Sequence, residues 1–229
     1  MVKKTTHFAR ASACLLLPLL YSCNPPVVLQ PETLFRATFS SDAVNSPPGN
    51  PEVGTWSSLS PTDGTILVRS AVGALTNKPL EVNHFGPNPG SPNMVGTFAG
   101  NPASSGLVVA RWSSLVHSSN AEFGFIAFSG AGGVVATMDY RQQGQITLNS
   151  QTNVIGSWTR DVAQTFEMTI DMDKRTTSLK INQIAVPGAQ AVPFKSPSGP
   201  AALEQITIHA GGSTPEVHAW DDIEVMIWR

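Results

Sequence analysis

The strongest constraint on the fold is a pair of alternating segments that flank a charged turn. In residues 165–171, Phe166, Met168 and Ile170 fall on one side and Thr165, Glu167, Thr169 and Asp171 on the other. In residues 176–182, Leu179 and Ile181 alternate with Ser178, Lys180 and Asn182. A strand, with its period of two, collects such apolar positions on one face. The polar run Asp171-Met172-Asp173-Lys174-Arg175 makes the turn, so the unit reads as an antiparallel hairpin with one buried face. The C-terminal stretch alternates as well. Ile223, Val225 and Ile227 are expected to point one way, and Trp220, Asp222, Glu224, Met226 and Trp228 the other.

The same texture runs through the chain from Leu34 onwards. Short β-branched and aromatic runs are broken by Gly, Pro, Asn and Ser, and no segment has a convincing amphipathic helical pattern. Charged residues make up only 13% of the chain, low for helices with solvated faces. Candidate strands cover residues 34–39, 65–70, 79–83, 106–115, 122–128, 134–140, 145–149, 165–172, 176–182, 204–209 and 218–228. About eleven strands at this spacing predict an all-β sandwich or barrel rather than parallel βαβ units. Residues 86–102, rich in Gly, Pro and Asn, are expected to be loop. Residues 187–200, with four prolines, are expected to cross from one sheet to the other.

The N-terminus carries a different signal. Lys3, Lys4 and Arg10 precede an apolar stretch, Ala11 to Leu20, and the small Ser22 stands just before Cys23. That is the layout of a secretory signal peptide. The stretch has about ten residues, against the roughly twenty needed to cross a bilayer as a helix. Leu20-Tyr21-Ser22-Cys23 resembles the bacterial lipoprotein signal, although Tyr21 is bulkier than the usual occupant. The resemblance implies removal of residues 1–22 and acylation of Cys23. The prolines make residues 23–33 read as an extended tether, and the strand-rich residues 34–229 read as a single domain. Each buried methylene of an acyl chain contributes about 0.8 kcal/mol, so two or more chains anchor stably. Asn24, where an Asp would imply inner-membrane retention, leans towards the outer membrane. The alternative is an ordinary cleaved signal with Cys23 as a bystander.

Cysteine and charge counts fit an exported domain. Of the two cysteines, Cys14 lies in the signal and Cys23 would be acylated, which leaves no disulfide, no Cys nucleophile and no Cys-based metal site. Cleavage leaves 11 Lys and Arg against 16 Asp and Glu, a net charge near −5. With no basic cluster, that balance argues against nucleic acid as a partner.

Three segments carry a further resemblance: Leu34-Phe35-Arg36-Ala37-Thr38-Phe39, the 166–182 hairpin, and Ile206-Thr207-Ile208 followed by Gly211-Gly212 and Trp220-Asp221-Asp222-Ile223-Glu224-Val225. Together they look like the concanavalin A-like (laminin G-like) jelly-roll superfamily. That resemblance implies two antiparallel sheets with the first and last strands adjacent. It implies no single activity, because the fold hosts lectins, adhesins, glycosidases and passive modules.

Candidate chemistry is sparse. Glycoside hydrolysis needs two carboxyl groups about 5–9.5 Å apart, and no central strand shows a Glu-x-Asp-x-Glu pattern. Glu122 is followed by Phe123-Gly124-Phe125, and Glu167 and Asp171 lie four residues apart. Asp221 and Asp222, with Asp42 if the terminal strands pair, could hold a structural calcium. The competing reading is that one of them accepts backbone N–H groups at the strand entry. His84, His117, His209 and His218 are isolated in sequence, although His209 and His218 could meet across a hairpin. Ser129-Gly130-Ala131-Gly132-Gly133 reads as a hairpin loop rather than a phosphate cradle. Aromatic residues are the remaining lead, since sugar rings stack on flat side chains while their hydroxyls reach polar neighbours. Trp158 and Arg160 are the expected exposed contacts, and Tyr140 and Arg141, with Asp139 and Gln142, form a second polar-aromatic group. The sequence therefore predicts a membrane-anchored, non-enzymatic lipoprotein that binds a glycan, or a structural envelope component that binds protein, with no organic cofactor.

Overall fold

A computed structural model describes residues 30–86, 91–118, 123–149, 152–196, 198–199 and 202–229. The expected signal segment, Cys23 and Glu122 lie outside them. In chain order the strands are β1 Glu32–Ala37, β2 Thr55–Ser60, β3 Gly64–Val68, β4 Leu80–His84, β5 Asn93–Thr97 and β6 Leu107–Val116. Then follow β7 Phe123–Gly130, β8 Gly133–Arg141, β9 Gln145–Leu148, β10 Val154–Ser157 and β11 Gln164–Asp171. The last are β12 Thr176–Ile181, β13 Ile184–Ala185, β14 Val192–Pro193, β15 Gln205–Gly211 and β16 Glu216–Trp228.

These strands form two antiparallel sheets. One has nine strands in the order β13-β12-β11-β6-β16-β4-β3, with β1 also on β16 and β14 on β12. The other has seven, β10-β9-β8-β7-β15-β5-β2. The expected hairpin is β11–β12, with Phe166 opposite Ile181 and Met168 opposite Leu179. The inward faces meet in one core that includes Phe35, Trp112, Phe128, Met138, Tyr140, Phe166, Met168 and Trp220. Trp112 stacks on Phe166 with ring centres 5.3 Å apart. The 187–200 connection does cross between sheets, from β14 beside β12 to β15 beside β7.

Strand β16 organises the larger sheet. Asp221 pairs with Ser113 and Glu224 with Arg111, so Asp222 and Ile223 together oppose Trp112 in a bulge. On one side of the bulge β16 pairs with β4, and on the other with β1. The first and last strands are thus neighbours. The bulge also corrects the alternation read from the sequence. It shifts the parity by one, so Trp220 faces the core with Ile223 instead of facing out with Glu224.

Five strands, β2, β5, β10, β13 and β14, were not legible, and two of them show why. Residues 93–97 form β5 inside the expected loop, because Met94 enters the core and both neighbours, β15 and β2, supply hydrogen-bond partners. Residues 55–60 form β2, an edge strand with little burial and therefore weak hydrophobic patterning. Its Trp56 packs edge-on against Phe35, 4.9 Å between ring centres.

Candidate functional site

The outer face of the seven-stranded sheet carries the most chemically varied group of side chains. Strand β7 alternates Gly124, Ile126 and Phe128 inward with Phe123 and Phe125 outward. Gly124 is needed here, because a Cβ would lie within 2.6 Å of the buried His218 ring at Nε2. Register then assembles the face. Phe125 sits between Asp139 of β8 and His209 of β15, and Phe123 between Arg141 and Gly211. Strand β9 adds Thr147 beside Asp139 and Gln145 beside Arg141, and β5 adds Asn93 beside His209.

The side chains pack into a row. His209 stacks on Phe125 at 4.5 Å and 12°, and Phe123 lies 5.2 Å from Phe125. The Arg141 guanidinium covers Phe123 at 4.3 Å. Its Nη2 reaches Asp139 Oδ2 at 3.4 Å, and Thr147 Oγ1 donates to the same oxygen at 3.3 Å. Arg141 Nε and His209 Nδ1 are buried and have no partner among the described residues. Asp139 is 2% exposed, and burial raises its pKa against the pull of Arg141 and Lys195. Burial, then the charges of His218 and His84, lower the His209 pKa to about 4. His209 is therefore a neutral imidazole at neutral pH.

The opposite face of the molecule is organised differently. In-register pairing aligns Lys180, Glu167, Arg111, Glu224 and Arg36 across β12, β11, β6, β16 and β1. Lys180 bonds Glu167 at 2.6 Å, Arg111 bonds Glu167 at 2.8 Å, and Arg36 pairs with Glu224. Hydrogen bonds from Lys180 and Arg111 hold Glu167 below the usual carboxylate range. A depression of about 550 Å³, lined by Arg111, Ser113, Thr165, Glu167, Lys180 and Gln183, lies over this ladder. Its charges are spent on one another, and an acid held ionised is no proton donor.

The expected contacts fare unequally. Arg141 belongs to the row on the seven-stranded sheet. Tyr140, its neighbour, does not: it is 0% exposed, and its hydroxyl shares a 2.7 Å hydrogen bond with Ser114. Alternation along β8 sends Tyr140 inward and Arg141 outward, so the adjacent pair cannot act together. Trp158 is half-buried and donates its Nε1–H to Arg141 O at 2.8 Å, so it supports β8 from behind. Arg160 is exposed and lies 3.5 Å from Asp161, away from the row. Trp112 and Trp220 are buried, which leaves Phe123, Phe125 and His209 as the aromatic platform. Only the Phe-Gly-Phe spacing hinted at this, since an inward Gly forces both rings out.

Asp221 and Asp222 do not converge. Asp221 is buried, whereas Asp222 is exposed with a positive φ of 49° in the bulge. Asp221 Oδ1 accepts the Asp222 amide at 2.9 Å, the backbone-accepting arrangement weighed against calcium. Asp42 lies against Gly49 in the turn beyond β1. Among the described residues no three His, Cys, Asp or Glu side chains converge to hold a metal ion. His209 and His218 do not meet across a hairpin, because β15 and β16 lie in different sheets. His218 points into the core, where it bonds Glu216 at 3.0 Å.

No protein family matches the chain, and no curated protein matches it. Solved structures do. A carbohydrate esterase of the Shiga toxin-encoding bacteriophage phi24B aligns with TM-score 0.59 and 15% identity over 87% of this chain and all of that one. An endo-β-1,4-glucuronan lyase of the fungus Trichoderma reesei aligns with TM-score 0.54 and 11% identity over 74% of this chain and 90% of the lyase. A sialidase aligns with TM-score 0.56 and 10% identity over 69% of this chain, but the match spans only 16% of the sialidase. At these identities the likeness concerns the fold: the chain is an all-β, two-sheet antiparallel sandwich of the jelly-roll type.

Proposed function

We propose that this protein is an exported lipoprotein, anchored in the outer membrane through acylated Cys23, whose sandwich binds carbohydrate without cleaving it. The observation that carries the binding reading is the row of Arg141, Asp139, Phe123, Phe125 and His209 on the seven-stranded sheet. It offers an apolar platform edged by donors and an acceptor, which suits a sugar ring that is apolar on its face and polar at its rim. Two structural neighbours are named for carbohydrate chemistry, which supports a glycan as the ligand class. The non-catalytic reading is supported by acid count. Among the described residues Asp139 is the single carboxylate on this face, whereas two-carboxyl hydrolysis needs a second about 5–9.5 Å away. The anchor rests on the Leu20–Cys23 motif.

The test is a glycan array probed with the detergent-solubilised full chain, with calcium and with chelator. Binding lost in Phe125→Ala, with the fold intact by circular dichroism, is the expected result. A blank in both conditions would overturn the glycan reading and favour an envelope component that binds protein. For the anchor, Cys23→Ala should move the protein from the membrane pellet to the soluble fraction.

A further inference from the structure

Building on that reading of the seven-stranded sheet, we infer that the sugar held there is acidic and that Arg141 seats its carboxylate. Four observations carry this. First, the Arg141 side chain is 19% exposed, and its buried Nε has no partner among the described residues. The unmade bond at Nε leaves the guanidinium's hydrogen bonding incomplete, and the exposed part of the side chain is what an acceptor from outside can reach. Second, among the described residues the one contact Arg141 makes with an acid is long, 3.4 Å to Asp139, beyond the usual 2.7–2.9 Å of a charge-assisted pair. Third, the face holds more cation than anion. Lys195 reaches Thr137 Oγ1 at 3.4 Å and acts on Asp139 from the side away from Arg141. His209 stays neutral, so Arg141 and Lys195 stand against Asp139 alone, on a chain of net charge −2.

Fourth, the other sheet shows what a self-satisfied arrangement looks like in this protein. There Lys180 and Arg111 close on Glu167 at 2.6 and 2.8 Å. The Phe123 ring lies 4.3 Å under the Arg141 guanidinium, whose planar fork suits a two-oxygen acceptor better than a single hydroxyl. Gln145, in register with Arg141 on β9, is placed to bond a sugar hydroxyl beside that carboxylate.

The experiment uses the detergent-solubilised full chain and oligosaccharides bearing hexuronate or sialic acid, each paired with its carboxyl-reduced counterpart. Sulfated glycans serve as a third arm. The expected result is binding to a carboxylated member, with the reduced partner weaker by about 30-fold, the size expected for a charge-assisted contact. Affinity should also fall as salt rises from about 0.05 to 0.3 M. Arg141→Gln should remove the difference between carboxylated and reduced members. Lys195→Gln, at an exposed position where folding is not at stake, should weaken the carboxylated member alone. Lys174→Gln, in the β11–β12 turn, should change nothing. Equal binding of both members of a pair, or binding that follows sulfate, overturns this inference and leaves a glycan-binding domain standing. A blank on every arm overturns both.

Discussion

Asp221 gives the most direct test of how the bulge in β16 is built. Its residue is 3% exposed, and burial followed by the charge of Asp222 raises its pKa from 3.8 to about 7. The folded state therefore holds this proton more tightly than the unfolded chain does. Below about pH 4 both states are protonated and the group is neutral in its effect. Between about pH 4 and 7 the unfolded chain ionises while the folded one does not, so stability falls as pH rises, and above about 7 the loss is complete. At about 1.4 kcal/mol per pH unit, that interval sets a ceiling of about 4 kcal/mol. Local opening of the bulge lets water in and separates the two carboxylates, so roughly 2 kcal/mol is expected.

Asp221→Asn isolates the effect. The amide oxygen still accepts the Asp222 N–H, as Oδ1 does at 2.9 Å, but the side chain cannot ionise. Urea unfolding from pH 4 to 8, with a common m value, should show variant and wild type equal at pH 4. The variant should be more stable by roughly 2 kcal/mol at pH 8. A difference that is flat across this range, or that grows in favour of wild type as pH rises, would refute the assignment.

Other consequences are equally concrete. Gly124→Ala should lower stability by about 1–3 kcal/mol, because the His218 ring it would strike is held by Glu216 and packed on Trp220; a melting temperature equal to wild type would contradict the packing. Tyr140→Phe should lose about 1–2 kcal/mol by stranding the Ser114 hydroxyl, and the double variant with Ser114→Ala should lose less than the sum of the singles in a mutant cycle. Glu167→Gln should cost under about 1 kcal/mol in spite of its two ion pairs, and the cost should shrink further in molar salt, since both partners are about half-exposed.

The local alternation of residues 165–182 specified a hairpin with one buried face, because in that segment a strand is the only regular structure that gathers the apolar side chains. The same logic, applied to short punctuated runs, was enough for an all-β sandwich. It failed where pairing rather than pattern decides. Strand β5 exists because β15 and β2 flank it, and β2 because an edge needs little burial. The bulge at Asp221 is likewise invisible in sequence, since it depends on the register with Ser113 and Arg111, and it reversed the expected facing of Trp220.

The candidate site divides the same way. Arg141 was legible as a polar residue beside an aromatic one at a strand end. Its true companions were not. Phe123, Phe125, Asp139 and His209 come from three strands as far apart in the chain as residues 123 and 209, and only antiparallel register brings them to one face. Adjacency in sequence misled at Tyr140, because neighbours on a strand point to opposite sides of a sheet. The sequence alone determined that this chain makes strands and that the 165–182 hairpin is amphipathic. Tertiary structure decided which side chains share a surface, because in a sandwich that choice is made by inter-strand register and sheet order, and neither is encoded by any local run of residues.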